Sequence, residues 1–321
     1  MKRIVVLSSG GDAPGMNAAI RATVRSALKL NIEVFGSYSG FQGIVEKSLK
    51  PMTTTSVANC IQHGGTILKT DRCDAFYEKQ HRDACRLFLA EQKIDGLVVI
   101  GGDGSFRGAA SLYLEGGPKV IGIPATIDND INGTDYTIGF DTARNTALGA
   151  IDKIRDTASS HNRNFIVEVM GRNAGFLAVD VGIAGGAEYI LIPEFEPDLN
   201  ELAKKIKSKE RQKLSSIMVV AESDRPGRSL ELSEQLSVLT GRHYRVCILG
   251  HTQRGGAPSA LDRKLASLMG VQAVNALLAG ETNKMVALNQ DQLGLVELPK
   301  VDLPSRKFTD IKLLEANTLI C

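Results

Sequence analysis

The segment Ile94-Asp95-Gly96-Leu97-Val98-Val99-Ile100-Gly101-Gly102-Asp103-Gly104-Ser105 runs from apolar residues straight into glycines that flank one carboxylate. Glycines at the end of a buried strand let backbone N–H groups come close to a phosphate. The Asp103 carboxylate would repel a bare polyphosphate, so it fits such a turn only with a cation such as Mg2+ between them. A metal–nucleotide site is the first expectation. A plain strand–helix turn would need the same glycines and carry no chemistry. A dinucleotide fingerprint could use Gly102, Gly104 and Gly108, but no acidic residue closes the next strand, Val120 to Ile123, to hold a ribose.

Pro124-Ala125-Thr126-Ile127-Asp128-Asn129-Asp130 follows that next strand. Extended backbone would point Thr126, Asp128 and Asp130 one way, because side chains alternate along a strand. One carboxylate could then take the proton of an attacking alcohol while the other positions basic groups or metal. An Asx-rich turn that only caps local backbone is the alternative. Met170-Gly171-Arg172 and His251-Thr252-Gln253-Arg254-Gly255-Gly256 also follow apolar runs, and arginine forks grip phosphate bidentately. The first apolar run ends in Ser8-Ser9-Gly10-Gly11-Asp12-Ala13-Pro14-Gly15, another phosphate-friendly turn. Beyond it, Arg21 and Arg25 sit one helical turn apart, as a solvated pair or with an anion between them. Gly65-Thr66-Ile67-Leu68-Lys69-Thr70 ends like a phosphate-binding P-loop, but Leu68 stands where a glycine must precede the lysine.

These residues need a scaffold that brings turns to one edge. Strand-like runs recur at Ile4–Leu7, Glu33–Gly36, Gly96–Ile100, Val120–Ile123, Phe165–Met170, Ile190–Pro193, Ile217–Ala221 and Arg245–Leu249. Helix-like segments alternate with them, including Met16 to Leu30, Phe106 to Leu114 and Asp141 to Ala158. That order predicts an α/β protein with one or two doubly wound parallel sheets, whose ligands bind at the carboxyl edge. A chain of 321 residues suggests two domains, with a break near Gly139. With 43% hydrophobic and 23% charged residues the core is ample. A net charge of +2 without a basic tract gives no reason to expect nucleic acid or a membrane surface as partner. The N-terminus has only Ile4 to Leu7 before glycines begin, too short for a signal peptide. Cys60, Cys73, Cys85, Cys247 and Cys321 are odd in number and lack metal-site spacing, as reduced thiols of a cytoplasmic enzyme would be.

Taken in order, Gly10 to Asn17, Gly101 to Ser105, Thr126 to Asp130, Met170 to Arg172 and His251 to Gly256 closely resemble the bacterial ATP-dependent 6-phosphofructokinases. The resemblance fades only after about Leu293. It implies two Rossmann-like domains with largely parallel sheets and an active site in the interdomain cleft. The first would comprise 1–138 plus about 251–300, the second 139–250 plus about 301–321. It implies transfer of the ATP γ-phosphoryl group to the 1-hydroxyl of fructose 6-phosphate, in a cytoplasmic homotetramer. A pyrophosphate-dependent or other sugar-phosphate kinase, or a nucleotide-binding regulatory paralogue, is the alternative.

Carried over residue by residue, Asp128 would be the base, with Thr126 and Arg172 stabilising the transferring group. Asp103 would hold Mg2+, and Gly11, Arg72, Cys73, Gly102, Gly104 and Ser105 would bind ATP. Thr126, Asp128, Asp130, Met170, Gly171, Arg172 and Glu222 would meet the sugar. Arg163, Arg245, His251 and Arg254 would hold its 6-phosphate, the first two reaching in from a neighbouring subunit. Gly104 and the small, neutral Ala125 favour ATP over pyrophosphate. An effector site for ADP or phosphoenolpyruvate would draw on Arg21, Arg25, Arg155, Gly186, Glu188, Arg211 and Lys213. Thr54 and Leu214 stand where the family has further cations, which implies weakened or altered allostery.

Overall fold

The computed structural model describes residues 1–195, 198–208, 215–223, 227–299 and 307–321. The chain begins β1 (Arg3–Ser9), α1 (Met16–Lys29), β2 (Glu33–Ser37), α2 (Phe41–Val45), β3 (Leu49–Met52), α3 (Lys79–Glu91), β4 (Gly96–Gly101), α4 (Asp103–Leu114) and β5 (Lys119–Pro124). It continues with α5 (Phe140–His161), β6 (Asn164–Val169), α6 (Phe176–Ala184), β7 (Tyr189–Leu191), α7 (Leu199–Ser208), β8 (Ser216–Ala221), α8 (Arg228–Thr240) and β9 (Tyr244–Ile248). It ends with α9 (Ala260–Leu278), β10 (Lys284–Asn289), β11 (Gln292–Glu297) and α10 (Ile311–Ile320).

Two compact units result. One holds Met1–Thr126, Ile131–Thr142 and Arg254–Arg306; the other holds Ile127–Asp130, Ala143–Gln253 and Lys307–Cys321. The sequence puts the changeover at Gly139, whereas in the structure Gly139 lies in the first unit and 127–130 in the second.

The first unit's seven-stranded sheet runs β11-β10-β5-β4-β1-β2-β3. Strands β10, β5, β4, β1 and β2 are parallel, and β11 and β3 are antiparallel edges. Every residue of β4 is buried, as its unbroken apolar run requires of a central parallel strand. Val5, Leu7, Leu97, Val99 and Val120 pack with Phe41, Phe88, Leu89 and Phe106 in one core. The second unit's sheet runs β7-β8-β6-β9, all parallel. Its core sets Ile166, Met218 and Val220 against Leu202, Ile206, Leu232 and Leu236. All eight expected strands are present. Strands β3, β10 and β11 are additions.

One buried carboxylate holds the first unit's return segment in place. Asp262, in the first turn of α9, accepts from Gly139 N (2.9 Å), Thr142 N (2.8 Å) and the Thr142 hydroxyl. Burial pushes its carboxyl up, and these three donors oppose that shift. The two N–H groups belong to the opening turn of α5, where intrahelical partners are missing. Asp262→Ala strands them away from water, and a loss of about 3 kcal/mol is expected. Asp262→Asn, which keeps one carbonyl oxygen, should lose less. Urea unfolding of the two variants measures this; an unchanged midpoint for Asp262→Ala refutes the capping role.

Candidate functional site

The first unit presents its chemistry at the carboxyl ends of β1, β4 and β5. Gly101, Gly102, Asp103, Gly104 and Ser105 carry the chain from β4 into α4, with Asp103 in the helix's first turn and no side chain capping it. Such a turn offers backbone N–H groups and the positive end of a helix dipole to an anion. The fold does not itself demand glycine at 102 or 104. A methyl group on either would meet no protein atom within 4 Å, so the space beside them is open to a ligand. Ser105 is buried, and its hydroxyl lies where a side chain at Gly101 would have to be, 2.8 Å away.

The β1 turn is packed beside this one. A Cβ on Gly10 would lie 3.3 Å from the Ser105 hydroxyl. Thr70 donates to the Gly10 carbonyl at 2.6 Å, and Ser8 bonds Thr66 (2.7 Å) and the Lys69 carbonyl (2.9 Å). Asn17 ties α1 to the same loop, accepting from Ile67 N and donating to the carbonyls of His63 and Gly64. The segment Gly65 to Thr70 thus buttresses the β1 turn and is no P-loop. Arg72 is exposed beside it. Cys73 is half-buried and donates to Gln42 Oε1 at 3.1 Å. Burial pushes its thiol up, and the carboxylates of Asp74 and Asp71 add to the shift, so it stays a neutral thiol at neutral pH.

Asp103 is 13% exposed, and its Oδ2 pairs with Arg107 Nη2 at 3.0 Å. Its Oδ1 is buried with no hydrogen-bond partner among the described residues. A buried, unsatisfied carboxylate oxygen suits a divalent cation. No group of three or more His, Cys, Asp or Glu residues that could hold a metal occurs among the described residues. A cation here would take one protein carboxylate and complete its shell from a ligand, as Mg2+ does with nucleotide phosphates.

After β5 the backbone leaves the strand. Thr126 accepts from the Thr137 hydroxyl through its carbonyl at 2.6 Å, residues 127–128 bend, and Asn129 is left-handed with φ 52°. The extended run that would alternate Thr126, Asp128 and Asp130 is therefore absent, because Asn tolerates the αL turn that breaks it. Asp128 is 8% exposed and Asp130 half-buried; the Asp130 carbonyl accepts from Lys307 N at 3.0 Å.

The second unit gathers its candidates at the carboxyl ends of β6, β8 and β9, which are neighbours in the sheet. Met170, Gly171 and Arg172 follow β6. Gly171 has φ 138°, and a Cβ there would lie 2.6 Å from the Ala174 carbonyl oxygen, so only glycine fits. Arg172 is exposed and left-handed at φ 50°. Glu222 follows β8, its N–H bonded to the Val169 carbonyl at 2.7 Å. His251 follows β9, exposed, on the 3-10 segment Gly250–Arg254. Gln253, to which the sequence gives no role, is fully buried, and its Oε1 accepts from Met170 N at 2.9 Å. It locks the Met170 turn to the β9 turn; only its place in the His251–Gly256 motif hinted at this.

The four phosphate-binding candidates divide. Arg163 and Arg245 line one cavity of about 310 Å3 with Asn162, Asn164, Arg242 and His243. His251 and Arg254 do not line it. Arg254 belongs to the first unit, where it donates to the Asp12 carbonyl at 3.0 Å, and its Nη1 would lie 2.7 Å from a Cβ on Gly11. Of the effector candidates, Arg21 is half-buried and Arg25 exposed on α1. Arg155 donates to the carbonyls of Gly185 and Gly186, both at 2.6 Å, and pairs with Glu188 at 3.5 Å. Arg211 and Lys213 lie outside the described residues, as does Leu214.

Parallel sheets that end in glycine-rich turns, arginines and carboxylates define an α/β protein built to take phosphorylated ligands. Comparison makes the class specific: the phosphofructokinase family model matches residues 3–277, and this chain belongs to that family. It is 57% identical over 321 residues, all of this chain and 98% of the relative, to an ATP-dependent 6-phosphofructokinase of Coxiella burnetii. It is 52% identical over 299 residues, 93% of each chain, to ATP-dependent 6-phosphofructokinase 1 of Thermus thermophilus. Among solved structures it superposes on the T-state phosphofructokinase of Pichia pastoris with a TM-score of 0.87 and 37% identity, over 92% of this chain and 35% of that one.

Proposed function

We propose that this chain transfers the γ-phosphoryl group of MgATP to the 1-hydroxyl of fructose 6-phosphate, giving fructose 1,6-bisphosphate and ADP. One observation carries the reading: all five motifs follow strands of the two parallel sheets, β1, β4, β5, β6 and β9, at the edge where such sheets bind ligands. The names of the close, full-length relatives support it, and they do not favour a pyrophosphate-dependent enzyme or a regulatory paralogue.

In this reading the β1 and β4 turns cradle the ATP phosphates through Gly11, Gly102, Gly104 and Ser105, with Arg72 and Cys73 beside the nucleotide. Asp103 holds Mg2+, which when bound neutralises charge at the phosphates. Asp128 accepts the proton of the sugar hydroxyl as it attacks. Thr126 and Arg172 face the charge that develops on the transferring group, where fixed donors contribute most to catalysis. Asp130, Met170, Gly171 and Glu222 orient the sugar. Its 6-phosphate is held by His251 and Arg254 and, from a neighbouring copy of the chain, by Arg163 and Arg245. The cavity that Arg163 and Arg245 share, apart from His251 and Arg254, supports that division, and a homotetramer is part of the same proposal. The contacts of Arg155 with Glu188 and the Gly186 carbonyl bring three effector candidates together, and Thr54 and Leu214, where the family has cations, carry the proposal of a weakened response to ADP or phosphoenolpyruvate. A cytoplasmic location with reduced cysteines is part of the same proposal.

A coupled assay for fructose 1,6-bisphosphate, with fructose 6-phosphate, Mg2+ and either ATP or pyrophosphate, tests this. Turnover with ATP alone is expected. Turnover with pyrophosphate alone overturns the donor assignment at Gly104 and Ala125. Faster turnover with tagatose 6-phosphate than with fructose 6-phosphate overturns the acceptor.

A further inference from the structure

We propose that Arg107 is a positioning residue of the nucleotide site: its guanidinium serves Asp103 as a resident cation, so that a nucleotide can bind before a divalent ion is in place. The inference rests on the reading of Asp103 as the metal ligand. A carboxylate at the mouth of a phosphate cradle opposes any polyphosphate that arrives without a cation. Arg107, one helical turn beyond Asp103 in α4, supplies that cation from the chain itself. Its Nη2 bonds Asp103 Oδ2 at 3.0 Å. The fork is not exhausted, because Arg107 Nε is buried and has no partner among the described residues. Asp103 Oδ1 is likewise left over. Each member of the pair thus keeps one unsatisfied polar atom shielded from solvent, a donor on Arg107 and an acceptor on Asp103, so the ion pair is not closed off by other protein partners among the described residues.

An i,i+4 pair on a solvated helix face would be ordinary local support. This one differs in two respects. The carboxylate is only 13% exposed, and the glycines on either side of it, 102 and 104, face space that no protein atom fills. On the proposed reading of the β4–α4 turn as the phosphate cradle, the Asp103 carboxylate lies next to the incoming charge. Held on Oδ2, the carboxylate leaves Oδ1 as the atom for the metal, and its charge is partly neutralised until the metal comes.

Calorimetric titration of the intact protein with ADP, in EDTA and again in excess Mg2+, tests the assignment; the affinity read is that of the ADP binding displaced by a non-hydrolysable ATP analogue, because ADP is also the proposed effector. Wild type is expected to bind ADP measurably in EDTA. Arg107→Gln should weaken ADP binding by about tenfold in EDTA, as loss of a charge-assisted contact implies. It should weaken binding by no more than about threefold in Mg2+, where the ion replaces the guanidinium. Arg107→Lys, which keeps the charge on a similar stem, should fall between the two. Equal losses in both conditions, no loss in EDTA, or no binding by wild type in EDTA overturns the proposal. Urea unfolding of each variant separates these results from misfolding, and Arg107→Lys carries the test should the glutamine variant not fold. Asp103→Asn keeps the two readings apart. Should it abolish the effect of Mg2+ on ADP affinity while Arg107→Gln behaves as wild type, only the Arg107 proposal falls. Should it leave the Mg2+ effect intact, the metal assignment to Asp103 falls instead.

Discussion

Replacing Asp128 by serine is expected to lower kcat for fructose 6-phosphate phosphorylation by about a thousandfold, with a much smaller change in KM. A positioned general base contributes roughly a hundred- to ten-thousandfold, and the sugar hydroxyl has no other carboxylate proposed to take its proton. Serine is small and polar, so it should enter the site without disturbing the bend at residues 127–128 or the left-handed Asn129. Asp128 is 8% exposed, so a bulky replacement would confuse packing with chemistry. The measurement is steady-state kinetics beside the urea midpoint. A loss confined to kcat with an unchanged midpoint assigns the effect to the transition state. Should kcat stay within about threefold of wild type, Asp128 is not the base.

Much of this was legible in the sequence, for a simple reason. Buried parallel strands must be apolar on both faces, so Ile4–Leu7, Gly96–Ile100, Val120–Ile123 and Ile217–Ala221 stand out as unbroken runs. Glycines at their ends mark the turns that reach ligands, and α1 was expected from Met16 to Leu30 and spans Met16–Lys29. What was hidden depends on edges and partners. Strand β3 is an antiparallel edge carrying Lys50 and Pro51, which carry no strand signal and are tolerated there because an edge lacks one set of ladder bonds. The β10–β11 hairpin turns through Gln290 and Asp291 at φ 50° and 60°, without the Asn-Gly or Asp-Gly pair that usually announces such a turn. Alternation failed at Asp128 because Asn129 breaks the extended backbone, a choice made by tertiary context and not by spacing. The Asp103–Arg107 pair, the hold of Arg254 on the Asp12 carbonyl and the capture of Arg155 by Glu188 are facts of packing. In the sequence Arg155 and Arg254 read only as cations available to a ligand, and Arg107 carries no assigned role.

Gly104→Asp turns the same distinction into a second large effect. Most substitutions of a glycine in a tight turn cost stability, because a Cβ collides or a positive φ is lost. Neither applies at 104: the residue is exposed in the first turn of α4, and a Cβ there would meet nothing within 4 Å. An added carboxylate near a helix N-terminus is, if anything, favoured by the dipole. The unfolding midpoint should therefore match wild type. ATP is another matter, because the open space beside Gly104 is where the proposed cradle admits its phosphates. Two like charges about 4 Å apart at an effective dielectric near 20 repel by about 4 kcal/mol. Discounted for solvent screening, that predicts a fall in kcat/KM for ATP of at least about a hundredfold. Gly104→Ala adds bulk without charge and should retain most activity, separating electrostatic exclusion from crowding. A Gly104→Asp variant that keeps its ATP kinetics would mean that no phosphate passes over Gly104. The β4–α4 turn would then have to be read as a structural turn, with its glycines explained by something other than nucleotide.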